Sequence, residues 1–249
     1  MFDPEFATKG LFYQASDRVA PTRFHVLGER SSGTNLVKRL LGSNTALAPT
    51  EALGWKHGFG QTLAIPGDLV VVCVVRNAVD WARSMHTKPW HSTPQMQALE
   101  FADFIRAEWN TVIDRKRYFA GAARMGGLGE VLQHDRDPLT GLAFQDLFAL
   151  RQAKLRHLLS YRNRGCSLAF LRMESVLSDP KKFVDGFGAA FKLPARDKPF
   201  QMVQKRLGSK FKPAIAARPD TPKTLGEDDL AWLKSRLDTE QEALLGYRY

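Results

Sequence analysis

Residues 28–35 read Gly-Glu-Arg-Ser-Ser-Gly-Thr-Asn, with glycines spaced as in a loop that holds phosphate. In the kinase form of that loop, G-x-x-x-x-G-K-[ST], the lysine and hydroxyl residue after the second glycine serve the phosphates and Mg²⁺. Thr34 and Asn35 occupy those two places here. What remains is a turn of backbone N–H groups feeding a helix N-terminus, which holds an anion without ATP and metal chemistry. Downstream, Arg76-Asn77-Ala78-Val79-Asp80 leads to Ser84. That spacing predicts an arginine leaving a buried strand and a serine two helical turns on, a fork and a hydroxyl for one anionic group. The alternative for this pair is a helix-capping arginine and a solvent-facing serine. Lys56-His57 pairs a cation with an imidazole that is neutral near pH 7, although a lone histidine is more often an ordinary surface or core residue.

These residues need a frame. Strand signals fall at 23–28, around 54–57, at 69–75 and at Ser167–Arg172. Helical spacing follows in Leu36, Val37, Leu40 and Leu41, and again along 96–117, where Leu99, Phe101, Phe104, Ile105, Trp109, Val112 and Ile113 share a broad apolar face. Asn77 is read as a helix cap with Asp80 as its partner. Phe148, Leu155, Leu158 and Leu159 mark another helix. Ser178-Asp179-Pro180 is a helix start before Phe183, Phe187 and Phe191. A last helix is expected from near Thr224, with Glu227, Asp228 and Asp229 in its first turn. Short apolar strands alternating with amphipathic helices predict an α/β fold, a parallel sheet with helices on both faces. Ligands of such sheets sit beyond the carboxyl ends of the strands, where all three residue groups fall. Residues 119–141, with five glycines and little periodicity, read as a mobile insertion in a single domain spanning 1–249.

Composition narrows the classes. A chain of 249 residues with 44% hydrophobic content buries a sizeable core. It has no apolar run long enough for a membrane span. The acidic start, Met1-Phe2-Asp3-Pro4-Glu5, lacks an export pattern, so a cytoplasmic location is expected. Cys73 and Cys166 sit in apolar blocks and read as core thiols. The net charge is +10, and between Lys181 and Thr224 eleven Lys and Arg stand against three Asp. Such a stretch suits nucleic acid, a small anion, or simply a solvated surface. No carboxylate or Cys/His cluster suggests a metal.

In sum these segments resemble the sulfotransferases that use 3′-phosphoadenosine 5′-phosphosulfate (PAPS), whose architecture is P-loop-like. Ser32-Gly33-Thr34 matches the core of the family's P-K-S-G-T loop, and Arg76-Asn77-Ala78-Val79-Asp80 with Ser84 matches R-N-P-x-D-x-x-x-S except at alanine. Phe170-Leu171-Arg172-Met173-Glu174-Ser175-Val176, Asp179-Pro180 and Phe191-Lys192-Leu193-Pro194 are similar to its strand–helix signature. The resemblance spans roughly 23–195. It implies that Arg30, Ser31, Ser32, Gly33, Thr34 and Asn35 hold the 5′-phosphosulfate while Arg76 and Ser84 hold the 3′-phosphate. Ser31 replaces the family's loop lysine, so its charge must come from Arg30 or Lys56. A loose match to a closing R-K-G loop brings in Arg206 and Gly208.

The implied activity moves a sulfuryl group from PAPS to an acceptor hydroxyl or amine, with His57 as base, adenosine 3′,5′-bisphosphate as product and no metal. His86, Trp90 and His91 are placed toward the acceptor, with packing as the other role open to Trp90. A carbohydrate or glycolipid acceptor is implied by resemblance, and no nucleic acid. Three alternatives stay open. One is a metal-dependent nucleotide or small-molecule kinase, one a non-enzymatic nucleic-acid-binding protein, and one a family member that binds nucleotide without transferring sulfate.

Overall fold

The computed structural model describes residues 4–204 and 210–249. Along the chain come α1 (Pro4–Lys9), β1 (Leu11–Gln14), β2 (Arg23–Gly28), α2 (Thr34–Asn44), β3 (Ala48–Pro49), β4 (Leu69–Val75) and α3 (Ala78–Thr87). Then follow α4 (Pro94–Gln97), α5 (Phe101–Arg106), α6 (Ala120–Arg124), α7 (Leu147–Ser160), β5 (Ser167–Arg172), α8 (Met173–Ser178), α9 (Pro180–Ala190), α10 (Glu227–Arg236) and α11 (Thr239–Leu244). The described residues divide into two compact units, one of 4–77, 154–204 and 238–249 and another of 78–153 and 210–237. Among them no helix is long and apolar enough to cross a membrane.

The first unit is built on one five-stranded sheet in the order β1-β5-β4-β2-β3. Its central strand, Leu69-Val70-Val71-Val72-Cys73-Val74-Val75, is buried at every position. An unbroken apolar run rich in β-branched residues is what a strand covered on both faces requires. Its odd positions (Leu69, Val71, Cys73, Val75) join a core with Phe6, Leu155, Leu158 and Leu245. The even ones (Val70, Val72, Val74) join a second core with Val37, Leu40 and Leu41 of α2 and Phe183 and Phe187 of α9. Both cysteines are reduced and buried in the first of these cores. The β2–β4 and β4–β5 pairs are parallel, as read from sequence.

Two features differ from the sequence reading. The sheet is mixed, because β1 runs antiparallel to β5, pairing Leu11 with Leu171 and Gln14 with Leu168. Nor do residues 54–57 form a strand. They are turns, with Gly54 at a φ of 93° and N–H···O bonds from Gly54 to Glu51 and from Gly58 to Trp55. A left-handed glycine turns the chain where the reading extended it. The strand paired with β2 on that edge is the two-residue β3.

In the second unit the helix expected over 96–117 is broken. It exists as α4 and α5, and beyond Arg106 the chain is extended, with bridges Ser92–Thr111 and Val112–Val131. Phe101, Phe104, Ile105 and Trp109 are buried as their spacing implied. The β-branched run Thr111-Val112-Ile113 prefers the extended backbone. The 119–141 insertion contains α6, a 3₁₀ turn at Gln133–Asp135 and the buried residues Leu132 and Asp135.

Candidate functional site

At its carboxyl end β2 runs into the phosphate-type loop. A Cβ added at Gly28 would lie 2.5 Å from the Val74 carbonyl oxygen and 2.7 Å from Ser32 Oγ, so only glycine fits there. Ser31 (φ 65°) and Gly33 (φ 93°) take left-handed conformations that reverse the chain. Ser32 is fully buried and donates its hydroxyl to the Glu29 carbonyl at 2.7 Å, fixing the loop from within. The N–H groups of Leu36 and Val37 both reach the Gly33 carbonyl, at 2.9 and 3.2 Å, and begin the helical ladder of α2. The amides of Gly33, Thr34 and Asn35 precede that ladder. Such amides have no intrahelical acceptor and carry the positive end of the helix dipole. Thr34 is itself buried, and Met173 packs against the open side of Gly33.

Lys56 and His57 sit on the turn bonded to the end of β2, not on a strand end. The Gly28 N–H donates to the Lys56 carbonyl at 3.0 Å. His57 Nδ1 lies 2.7 Å from the Gly28 carbonyl oxygen. A carbonyl only accepts, so Nδ1 carries the proton and Nε2 is the basic nitrogen of the neutral ring. Burial holds the His57 pKa well below its usual 6.5, reinforced by Lys56, Arg30 and Lys154 against the opposing pull of the Gly28 carbonyl. As a whole residue His57 is half-buried. Lys56 reaches Asn35 Oδ1 at 2.5 Å, which puts an ammonium at the start of α2. Burial, then Lys38, lower its pKa to about 8, with Glu51 opposing. Arg30 is buried, its guanidinium 5.9 Å from the Trp55 ring centre.

Arg76 leaves β4 beside the same loop and donates from Nη1 to the Ser31 carbonyl at 3.2 Å. Next to it, the Asn77 N–H donates to Glu174 Oε1 at 2.8 Å, while Glu174 Oε2 accepts from the Tyr247 hydroxyl at 2.8 Å. The loop, the Lys56-His57 turn and Arg76 therefore belong to one bonded group in the first unit. Sequence reasoning missed several of the residues that hold this group: His25, Lys154, His157 and Tyr247. His25 is on β2, Lys154 and His157 are on α7 and Tyr247 follows α11, and apolar periodicity assigns polar groups at these places no role.

The remaining expected site residues belong to the second unit or fall outside the described residues. Ser84 is on α3 in the second unit and half-buried. His86, also on α3, is fully buried, with Nε2 3.0 Å from the Leu99 carbonyl and Nδ1 2.7 Å from Thr221 Oγ1. Both ring nitrogens are engaged and Phe101 and Phe104 flank the ring, so His86 packs this unit. Trp90 is half-buried, 5.3 Å from the Phe211 ring and 4.9 Å from the Arg115 guanidinium. His91 is buried, with Nδ1 2.6 Å from Asp114 Oδ1. Arg206 and Gly208 lie outside the described residues. Among the described residues, no group of three or more His, Cys, Asp or Glu could hold a metal ion. The chain matches no family model, no curated protein and no solved structure.

Proposed function

We propose that this protein moves a sulfuryl group from PAPS to an acceptor hydroxyl, with His57 as general base. One observation carries the proposal: His57 Nδ1 is bonded to the Gly28 carbonyl, which joins a basic imidazole nitrogen to an anion-holding turn. The acceptor oxygen attacks sulfur and forms the new S–O bond as its proton passes to His57 Nε2. The bond from sulfur to the 5′-phosphate oxygen breaks, and its electron pair leaves on adenosine 3′,5′-bisphosphate. Developing charge on that oxygen is met by the first amides of α2 and by a cation. Of the two candidate cations, Lys56 is the better placed, because it touches Asn35 at the helix start whereas Arg30 is packed on Trp55. With a pKa of about 8, Lys56 is mostly protonated at neutral pH. Arg76, at the end of β4, is the proposed partner of the 3′-phosphate.

The test follows bisphosphate release from PAPS across sugar and glycolipid acceptors, using wild type and His57→Ala. Wild type should release bisphosphate with at least one acceptor. The variant, if folded, should be about 100-fold slower or worse, the usual worth of a positioned base. Near-normal transfer by His57→Ala would overturn the assignment of the base. Phosphoryl transfer from ATP with Mg²⁺, with PAPS untouched, would instead make the protein a kinase.

A further inference from the structure

The turn that bears His57 has no regular secondary structure, yet two side chains of one helix hold it. Lys154 and His157 lie three residues apart on α7, so they share a face. Lys154 Nζ donates to the His57 carbonyl at 2.8 Å. His157 Nε2 lies 2.8 Å from the Gly60 N–H and accepts from it. Neither side chain is placed there by accident of the surface. Lys154 is 6% exposed and its ammonium stands 3.8 Å from the centre of the Phe59 ring, while His157 packs edge-on against Phe59 at 5.7 Å and Tyr161 at 5.4 Å. A buried lysine is costly unless its donors are used, and here one of them is used on the backbone of His57 itself.

We propose that Lys154 and His157 are positioning residues for His57: they grip the chain on its two sides, at the His57 carbonyl and the Gly60 amide, and thereby keep His57 Nδ1 on Gly28. The lysine has a second effect, since its charge faces the ring together with those of Lys56 and Arg30 and disfavours the imidazolium form. His157 is faced in turn by Arg164 and Lys154. The catalytic consequence rests on the sulfuryl-transfer reading, but the geometric one does not, so the two are measured separately.

The experiment compares Lys154→Met, Lys154→Arg, His157→Leu and His157→Gln with wild type by NMR and by transfer assay. In His157→Leu the Gly60 amide should exchange about tenfold faster, as expected for one lost hydrogen bond, whereas glutamine offers an acceptor and should restore protection. In Lys154→Met the His57 ring should titrate at higher pH and lose its single Nδ1–H tautomer, while Lys154→Arg retains both. In the transfer assay, Met and Leu should lower kcat and leave KM for PAPS unchanged. Unchanged Gly60 exchange in the leucine variant, with unchanged His57 titration in the methionine variant, would overturn the proposal even if sulfuryl transfer is established. If the Met or Leu variant fails to fold, Arg and Gln decide: loss of the His57 tautomer or of Gly60 protection in these conservative replacements would overturn it too.

Discussion

At the scale of single residues, the loop depends on two glycines for different reasons. Gly28 is needed because a side chain would meet the backbone oxygen of Val74. Gly33 is needed because of its φ of 93° and because Met173 occupies the space a Cβ would enter. Left-handed backbone alone costs an L-residue roughly 1–2 kcal/mol. Gly33→Ala should therefore lower the unfolding free energy by about 2 kcal/mol or more in urea titration, the excess coming from displaced Met173. Adding Met173→Ala should recover part of that loss. A fully additive double variant would mean that the two residues do not share the space. Ser31, also left-handed at a φ of 65°, has no glycine to relax it. Such strained positions cluster at binding sites.

At the scale of elements, the turn at 53–60 is held by imidazoles that must be neutral. His25 Nδ1 accepts from the Leu53 N–H at 3.1 Å, and His157 Nε2 accepts from Gly60. Protonation would remove either acceptor. Burial lowers the His25 pKa to about 4, with Lys38 and Lys56 assisting and Glu51 opposing. Burial, then Arg164 and Lys154, lower that of His157 to about 4 as well. The unfolded chain takes up these protons first, at its ordinary histidine pKa of 6.5. Stability is therefore whole above pH 6.5 and falls as the pH drops toward 4, at most about 1.4 kcal/mol per pH unit for each histidine. Denaturant titrations between pH 7 and 4.5 should show this slope, and His157→Gln should reduce it. A slope equal to that of wild type in the variant would contradict the His157 part. The strands β2, β4 and β5 were legible because an apolar run such as 69–75 admits few other conformations. The turn at 54–57 was not, because Gly54-Trp55-Lys56-His57 carries no periodic signal that separates a strand end from a turn. β1 escaped notice for a related reason: four residues at a sheet edge, all half-buried, leave no pattern.

At the scale of the whole molecule, the chain distributes its expected site over two units. The glycine loop, Lys56, His57 and Arg76 belong to the first, where hydrogen bonds join the loop to its neighbours. Ser84, His86, Trp90 and His91 belong to the second. Spacing along the sequence put the glycine loop and Arg76 together, since strand ends in an α/β sheet fall on one edge, whereas Lys56 and His57 reach the loop from a turn that the sequence reads as a strand. It could not tell that His86 would be a core residue, because an amphipathic helix also carries polar groups on its buried side when partners such as Thr221 come from distant sequence. Nor does the net charge of +10 select a ligand, since nucleic acid and a small anion answer to it equally. What separates them is whether one adenosine nucleotide with a 3′-phosphate is preferred. Calorimetric titration of wild type and Arg76→Ala with adenosine 3′,5′-bisphosphate, AMP, and ATP with Mg²⁺ measures that preference. The expected result is at least about tenfold tighter binding of the bisphosphate than of AMP by wild type, lost in Arg76→Ala, the worth of one charge-assisted contact. Equal affinity of wild type for bisphosphate and AMP, or a preference for ATP with Mg²⁺, would contradict it.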